Sequence, residues 1–352
     1  MRRPCAPSNS SARRSSRALA SPIKSEVDFA AQGKHIGFLL LPHSTHQSAY
    51  GWIPIPIASL KNGGGPTVLV MAGNHGDEYE GQVLASRLIR ELQPDMIRGQ
   101  LLIAPMANYP AARAGSRTSP IDGGNLNRSF PGNPAGGVTE VIAHYVEAEL
   151  VGRSSVVIDL HSGGSSLLYN GPTMLALEPR DEEERARIHG MLAAFGLPRA
   201  FLHGPNPVTI SSAARRKGAL SIVTELGGAG MISPSVLRAA TQGLLHLLGH
   251  LGVLKGPLVP GSAPGETRIM RIDAAIHYVY ARDEGLFEPL VELGERVEAG
   301  QPAARIHFPE TPWREPETVS FPGRGEVVCK RVPARTLRGD CLFQLADDHV
   351  QA

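Results

Sequence analysis

The stretch VLVMAGNHGDEYEG, residues 68–81, changes character at Gly73: an apolar run gives way within a few residues to one histidine and three acids. Near-continuous apolarity over 68–72 predicts a strand buried on both faces. Gly73 and Gly76 permit a tight turn from that strand into a helix. Three more apolar runs follow, QLLIAPMAN at 100–108, SSVVIDLHSGG at 154–164 and ALSIVTELGG at 219–228. Helix-patterned stretches occupy 80–92, 138–150, 180–196 and 233–252. This alternation predicts an α/β domain with a mixed, largely parallel sheet flanked by helices.

Upstream, IGFLLLP and YGWIPIPIASL read as short antiparallel strands, with KNGGGP (61–66) as a hairpin-type turn. Downstream, Pro and Gly crowd into KGPLVPGSAPGE (255–266), the pattern of a linker. Beyond it come short strands punctuated by glycine, with no helix signal, so a small all-β, barrel-like unit is expected. The resulting division is 1–24, a disordered basic tail; 25–262, the catalytic domain; and 263–352, the β unit. The spacing V-x-L-G-E-x-V-x-A-G-Q at 291–301 resembles a half-repeat of lipoyl-type barrels. No lysine stands where such a barrel is modified, so a structural or assembly role is expected instead.

A chain of 352 residues that is 42% apolar and 19% charged can bury a large core, and its length suggests two units. Six of its 35 basic residues lie in the first 24 positions, where there is no acid, and the remainder is mildly acidic. A nucleic-acid-binding stripe is therefore not expected. No apolar run is long enough to span a membrane. The three cysteines, Cys5, Cys329 and Cys341, form no C-x-x-C pair and suit free thiols in a reducing cytoplasm.

In open α/β sheets, sites form beyond the carboxyl ends of strands, and the candidate residues stand there. His75 and Glu78 follow the first run; His161 ends the third, with Asp159 two residues earlier on the same face. Two imidazoles and a carboxylate, with a fourth position for water, make the ligand set of a catalytic zinc. Asp159 can serve nearby or behind the ligands. Glu225 ends the fourth run and can take a proton from water. In the loop 113–132, Asn127 and Arg128 offer a carboxylate fork, and Arg117 an oxyanion partner. Asp77 reads as an orienting group and Glu80 as part of the helix start. The pairs His43/His46 and His246/His250 lack a carboxylate partner and read as ordinary surface and helix residues.

The segments GNHGDEYEG, GGNLNRSFPG, DLHSGG and TELGG together resemble the succinylglutamate desuccinylase/aspartoacylase family, relatives of the zinc carboxypeptidases. The resemblance spans roughly residues 30–255. It implies a zinc-carboxypeptidase-like sheet and one Zn2+ per subunit on His75, Glu78 and His161. It further implies Glu225 as general base, Asn127 and Arg128 as the carboxylate-binding pair, and Arg117 as the oxyanion arginine, with Arg113 as rival. The expected activity is hydrolysis of a linear amide in a small N-acyl amino acid, with no nucleic-acid or membrane partner and a homo-oligomer left open. A metallocarboxypeptidase would use the same ligands, and a metal-stabilised scaffold is the non-enzymatic reading. Three protein ligands argue against the scaffold, because structural zinc takes four.

Overall fold

A computed structural model describes residues 20–256, 265–273 and 275–348. Most of the expected tail (1–19) and of the linker (257–264) lies outside these residues. The amino-terminal region runs β1 (Lys24–Ser25), β2 (Gly33–Pro42), β3 (Trp52–Asn62), β4 (Thr67–Ala72), α1 (Tyr79–Glu91), β5 (Gly99–Ala104), α2 (Tyr109–Ala114) and α3 (Val138–Tyr145). It continues through β6 (Val156–His161), β7 (Leu167–Leu177), α4 (Glu182–Phe195), β8 (Arg199–His203), α5 (Ile210–Arg216), β9 (Leu220–Gly228) and α6 (Pro234–His250). The sheet order β3-β5-β4-β6-β9-β7-β8 places β4, β6 and β9 side by side and parallel at its centre.

Both faces of these central strands are covered, as their apolarity requires. Val68, Val70 and Ala72 pack with α1, α4 and α6 in one core cluster. Leu69 and Met71 point the other way, into a second cluster with α3, α5 and the inner face of the β2–β3 hairpin. Each Val, Leu or Met side chain so buried contributes about 1.5–3 kcal/mol relative to exposure. Buried strands of this kind give rigid anchor points for whatever leaves their ends.

Three local expectations are corrected. The 61–66 turn is no hairpin: it joins β3 to β4, which are separated by β5, and the hairpin loop is 43–51. The ordered fold begins before residue 25, since Ile23 is buried and Lys24 pairs with Leu40. The interval between α3 and β9 holds more structure than its pattern suggests, including β7, β8 and α5.

The carboxyl-terminal segment comprises β10 (Arg268–Arg271), β11 (Tyr278–Tyr280), β12 (Gly285–Pro289), β13 (Arg296–Val297), β14 (Pro302–His307), β15 (Glu317–Ser320), β16 (Gly325–Arg331), β17 (Arg335–Thr336) and β18 (Cys341–Asp348). A four-stranded sheet, β15-β14-β12-β17, closes with β11, β16 and β18 around its own core, in which Phe287 and Phe321 pack on Phe343. Its backbone also joins the main sheet: β10 runs parallel to β8, and β16 antiparallel to β7, with Cys329 opposite Tyr169. That second seam carries the segment over the carboxyl ends of the central strands.

Candidate functional site

Two glycines bring α1 back across the end of β4, for different reasons. Gly73 has φ of 66°, a conformation that side chains rarely adopt. Gly76 is pressed against α2, where an added Cβ would lie 2.0 Å from the Ala111 carbonyl oxygen. The turn delivers Glu78 to the N-cap position of α1, yet its side chain caps nothing and reaches into the site. His161 and Glu225 arrive from neighbouring strands at the same level, paired in register.

His75, Glu78 and His161 are buried, and their candidate donor atoms lie within 4.8 Å of one another. Among the described residues this is the one group of three His, Cys, Asp or Glu side chains so placed. Both imidazoles are held from behind by oxygen acceptors: His161 Nε2 by Asp159 Oδ2 at 2.6 Å, and His75 Nε2 by Asn125 Oδ1 at 3.1 Å. Both Nδ1 atoms then face Glu78, at 2.7 Å from Oε1 for His75 and 2.8 Å from Oε2 for His161. With Nε2 protonated toward those acceptors, each Nδ1 faces the carboxylate across a gap that either a proton or a metal cation satisfies. Two imidazole nitrogens and a carboxylate, each oriented by a second hydrogen bond, fit a tetrahedral divalent metal.

The electrostatics agree. Burial opposes charge on all three groups, but the Asp159 and Glu78 carboxylates outweigh it and raise the His161 pKa well above its ordinary value. His161 and His75 pull the Glu78 carboxyl down to about 2 despite its burial. For His75, burial prevails and its pKa is lowered. Glu225 behaves oppositely to Glu78: burial first, then repulsion from Glu78, push its carboxyl well above the ordinary range. Its Oε2 is buried without a hydrogen-bond partner. A carboxylate so placed is eager for a proton.

The remaining sequence candidates divide. Arg117, Asn127 and Arg128 line the same cavity, of about 420 Å³, as the His–Glu–His group and Glu225. The Arg117 guanidinium stands 3.6 Å from Glu78 Oε1. Its rival Arg113, in the last turn of α2, does not line the cavity. Arg128 donates to the Asn127 carbonyl oxygen at 2.7 Å, while Asn127 Oδ1 accepts from the Ile210 N–H. Asp159 binds no other member of the donor group than His161, and its Oδ2 also accepts from Asn74. Asp77 accepts from the Ser165 N–H and hydroxyl, bracing the turn after His161. Glu80 does sit at the helix start, but it faces inward: it is 1% exposed, and neither carboxylate oxygen has a hydrogen-bond partner.

Several residues in or behind the cavity were not singled out in the sequence. Asn125 holds His75. Tyr169 contributes from β7, and Ile272, Tyr278, Tyr280, Cys329, Cys341 and Gln344 roof the cavity from the carboxyl-terminal segment. A cluster of metal donors facing an unpaired carboxylate and two guanidiniums, at the ends of adjacent parallel strands, defines a site built for metal-assisted hydrolysis.

The comparisons agree with that class. Residues 64–251 match the model of the succinylglutamate desuccinylase/aspartoacylase catalytic domain, and the chain belongs to that family. It is 40% identical over 331 residues to an N-alpha-acetyl-L-2,4-diaminobutyric acid deacetylase of Halomonas elongata, covering 93% of this chain and 95% of that one. Its structure is similar to that of a succinylglutamate desuccinylase/aspartoacylase from Rhodobacter sphaeroides, with a TM-score of 0.87 and 35% identity, covering 94% and 100% of the two chains. It is similar also to the product-bound ectoine utilization protein EutE (DoeB) from Ruegeria pomeroyi, with a TM-score of 0.87 and 36% identity over 94% and 99%. Among the described residues no helix is long and apolar enough to cross a membrane.

Proposed function

We propose that the chain is a zinc-dependent amide hydrolase that removes the acetyl group from N-alpha-acetyl-L-2,4-diaminobutyrate, releasing acetate and 2,4-diaminobutyrate, as in ectoine degradation. The observation that carries the reading is the lining of one roofed cavity. His75, Glu78, His161 and the proton-seeking Glu225 share it with Arg117, which stands against Glu78, and with Arg128, which makes no ion pair among the described residues. A small molecule with an amide and a carboxylate matches that polarity, and the deacetylase relative supports the choice of substrate.

His75, Glu78 and His161 would hold one zinc ion per subunit. When bound, the metal supplies Lewis-acid activation of water and of the acyl carbonyl. Glu225 receives the proton of the attacking water and returns it to the departing nitrogen, which its raised proton affinity favours. Arg117 stabilises the developing oxyanion, and Arg128 with Asn127 holds the substrate carboxylate. Asp159 keeps His161 in one tautomer. Cys329 and Cys341 are free thiols, in keeping with a cytoplasmic enzyme.

The Tyr278–Gln344 roof also favours a small acyl amino acid over a peptide. A panel of N-acetyl and N-succinyl amino acids, alongside peptides assayed for carboxyl-terminal release, tests this. Fastest turnover is expected on N-alpha-acetyl-2,4-diaminobutyrate, and a preference for peptides would contradict the proposal.

A further inference from the structure

In NHGDE (74–78) each proposed metal donor is preceded by a polar side chain that is not a donor: Asn74 before His75, and Asp77 before Glu78. Both are buried, and both cross to the strand end that carries His161. Asn74 Nδ2 donates to Asp159 Oδ2 at 2.9 Å, just before His161 in the chain. Asp77 Oδ2 accepts from the Ser165 N–H at 2.8 Å and from its hydroxyl at 2.7 Å, just after His161. The turn that holds His75 and Glu78 is thus tied on both sides to the segment that holds the third donor.

Of these two struts, Asn74 acts on a group that touches a donor. The oxygen it binds, Asp159 Oδ2, also accepts from His161 Nε2 at 2.6 Å. Because that oxygen accepts, the amide presents its N–H and not its carbonyl. Asp159 is 0% exposed and its Oδ1 has no hydrogen-bond partner, so the two donors on Oδ2 decide where the carboxylate points. Without Asn74, the carboxylate can turn about its Cβ–Cγ bond, offer Oδ1 instead and swing the imidazole with it.

The turn itself does not explain the side chain. Its backbone is held independently: the Gly73 carbonyl oxygen accepts from the Asn108 N–H at 2.9 Å, and the Gly76 N–H donates to the Ser116 carbonyl oxygen at 2.9 Å. The Asn74 Oδ1 is buried without a partner, which costs stability that an apolar side chain of the same shape would not lose. What the amide contributes is therefore its one N–H, to Asp159.

We propose that Asn74 is a positioning residue of the metal site. Its N–H holds the Asp159 carboxylate against His161 Nε2 and so fixes the direction in which His161 Nδ1 meets the metal, in step with the turn that carries His75 and Glu78. The proposal rests on the reading of these three residues as metal donors.

Zinc titrated into the full chain against a competing chelator tests it. Asn74→Ala should weaken zinc binding by about 10-fold, the lower end of the range for groups behind a metal-binding histidine. Asn74→Leu, which keeps the shape of asparagine without its N–H, should lose as much. With Co2+ in place of zinc, both variants should change the visible absorption of the bound ion, which follows the geometry of its ligands. Their circular dichroism should stay that of the wild type. In an Asp159→Ala background, where the N–H has nothing to hold, adding Asn74→Ala should shift affinity by less than about two-fold. Wild-type affinity and an unchanged Co2+ spectrum in Asn74→Ala would overturn the inference. So would recovery in Asn74→Leu, additive losses in the double variant, or misfolding of both single variants, because Asn74 would then serve packing alone. A wild type that binds no zinc would overturn the reading of the donors, and this inference with it.

Discussion

The ends of β4, β6 and β9 and the outer face of the β2–β3 hairpin break the same rule in opposite directions. At the strand ends, Asp159, Glu78, His75 and His161 are buried charged or chargeable groups; on the hairpin, Ile36, Phe38 and Trp52 are large apolar groups in water. Each departure is costly in isolation. Inside, the cost is met by mutual pairing: every buried member of the Asp159–His161–Glu78–His75–Asn125 chain is hydrogen-bonded to the next. On the hairpin no side chain among the described residues covers Ile36, Phe38 and Trp52. A buried polar chain of this kind has its cost met within the fold, and an exposed apolar face does not.

Substitutions sharpen the contrast. The largest effect short of removing a metal donor or the base is expected at Arg128, whose guanidinium lines the cavity and has no carboxylate partner among the described residues. Arg128→Ala should lower kcat/KM about 100-fold, mostly through KM, by loss of a charge-assisted hydrogen bond. Steady-state kinetics check this, and a change confined to kcat would break the assignment. Asp159→Asn should weaken zinc binding by about 10–100-fold, because His161 loses the acceptor that fixes its tautomer. Titration against a competing chelator reads that loss directly.

Glu80 gives a smaller, pH-dependent effect. Burial pushes its carboxyl up to about 7 from an ordinary value of 4.5. The sign follows from linkage: the protonated side chain is the favoured folded form, so stability is fully present below pH 4.5 and is lost as pH rises through 7. Glu80→Gln should match the wild type near pH 5 and be more stable by about 2 kcal/mol near pH 9. Denaturant melts at the two pH values decide it, and a pH-independent difference would break the account of Glu80 as an unpaired buried acid.

The strand-end cluster was legible in the sequence because an apolar run that stops at His or Glu leaves a local signature. His75, Glu78, His161, Glu225, Asn127, Arg128 and Arg117 all converge on one cavity. What was not legible depends on long-range pairing. β7, for which the sequence pattern predicts no element, carries Gly171 and Pro172 mid-strand, and the structure accommodates them at an irregularity in its pairing with β9. Tyr278 and Gln344 reach the cavity only because β16 pairs with β7 and β18 with β16, contacts that no local pattern encodes. Asn125 looked like any loop asparagine until its distance to His75 was known. The inward turn of Glu80 likewise depends on packing around the start of α1 and not on its position in the helix.

Acetate release by Glu225→Ala, measured together with zinc content, tests the central claim most directly. On the proposed mechanism, loss of Glu225 should reduce turnover of N-alpha-acetyl-2,4-diaminobutyrate by about 10²–10⁴-fold while leaving one zinc per chain, because Glu225 is assigned to take protons and lies outside the His75–Glu78–His161 donor group. Unchanged acetate release from the zinc-loaded variant, or a wild type whose turnover survives removal of the metal, would contradict it.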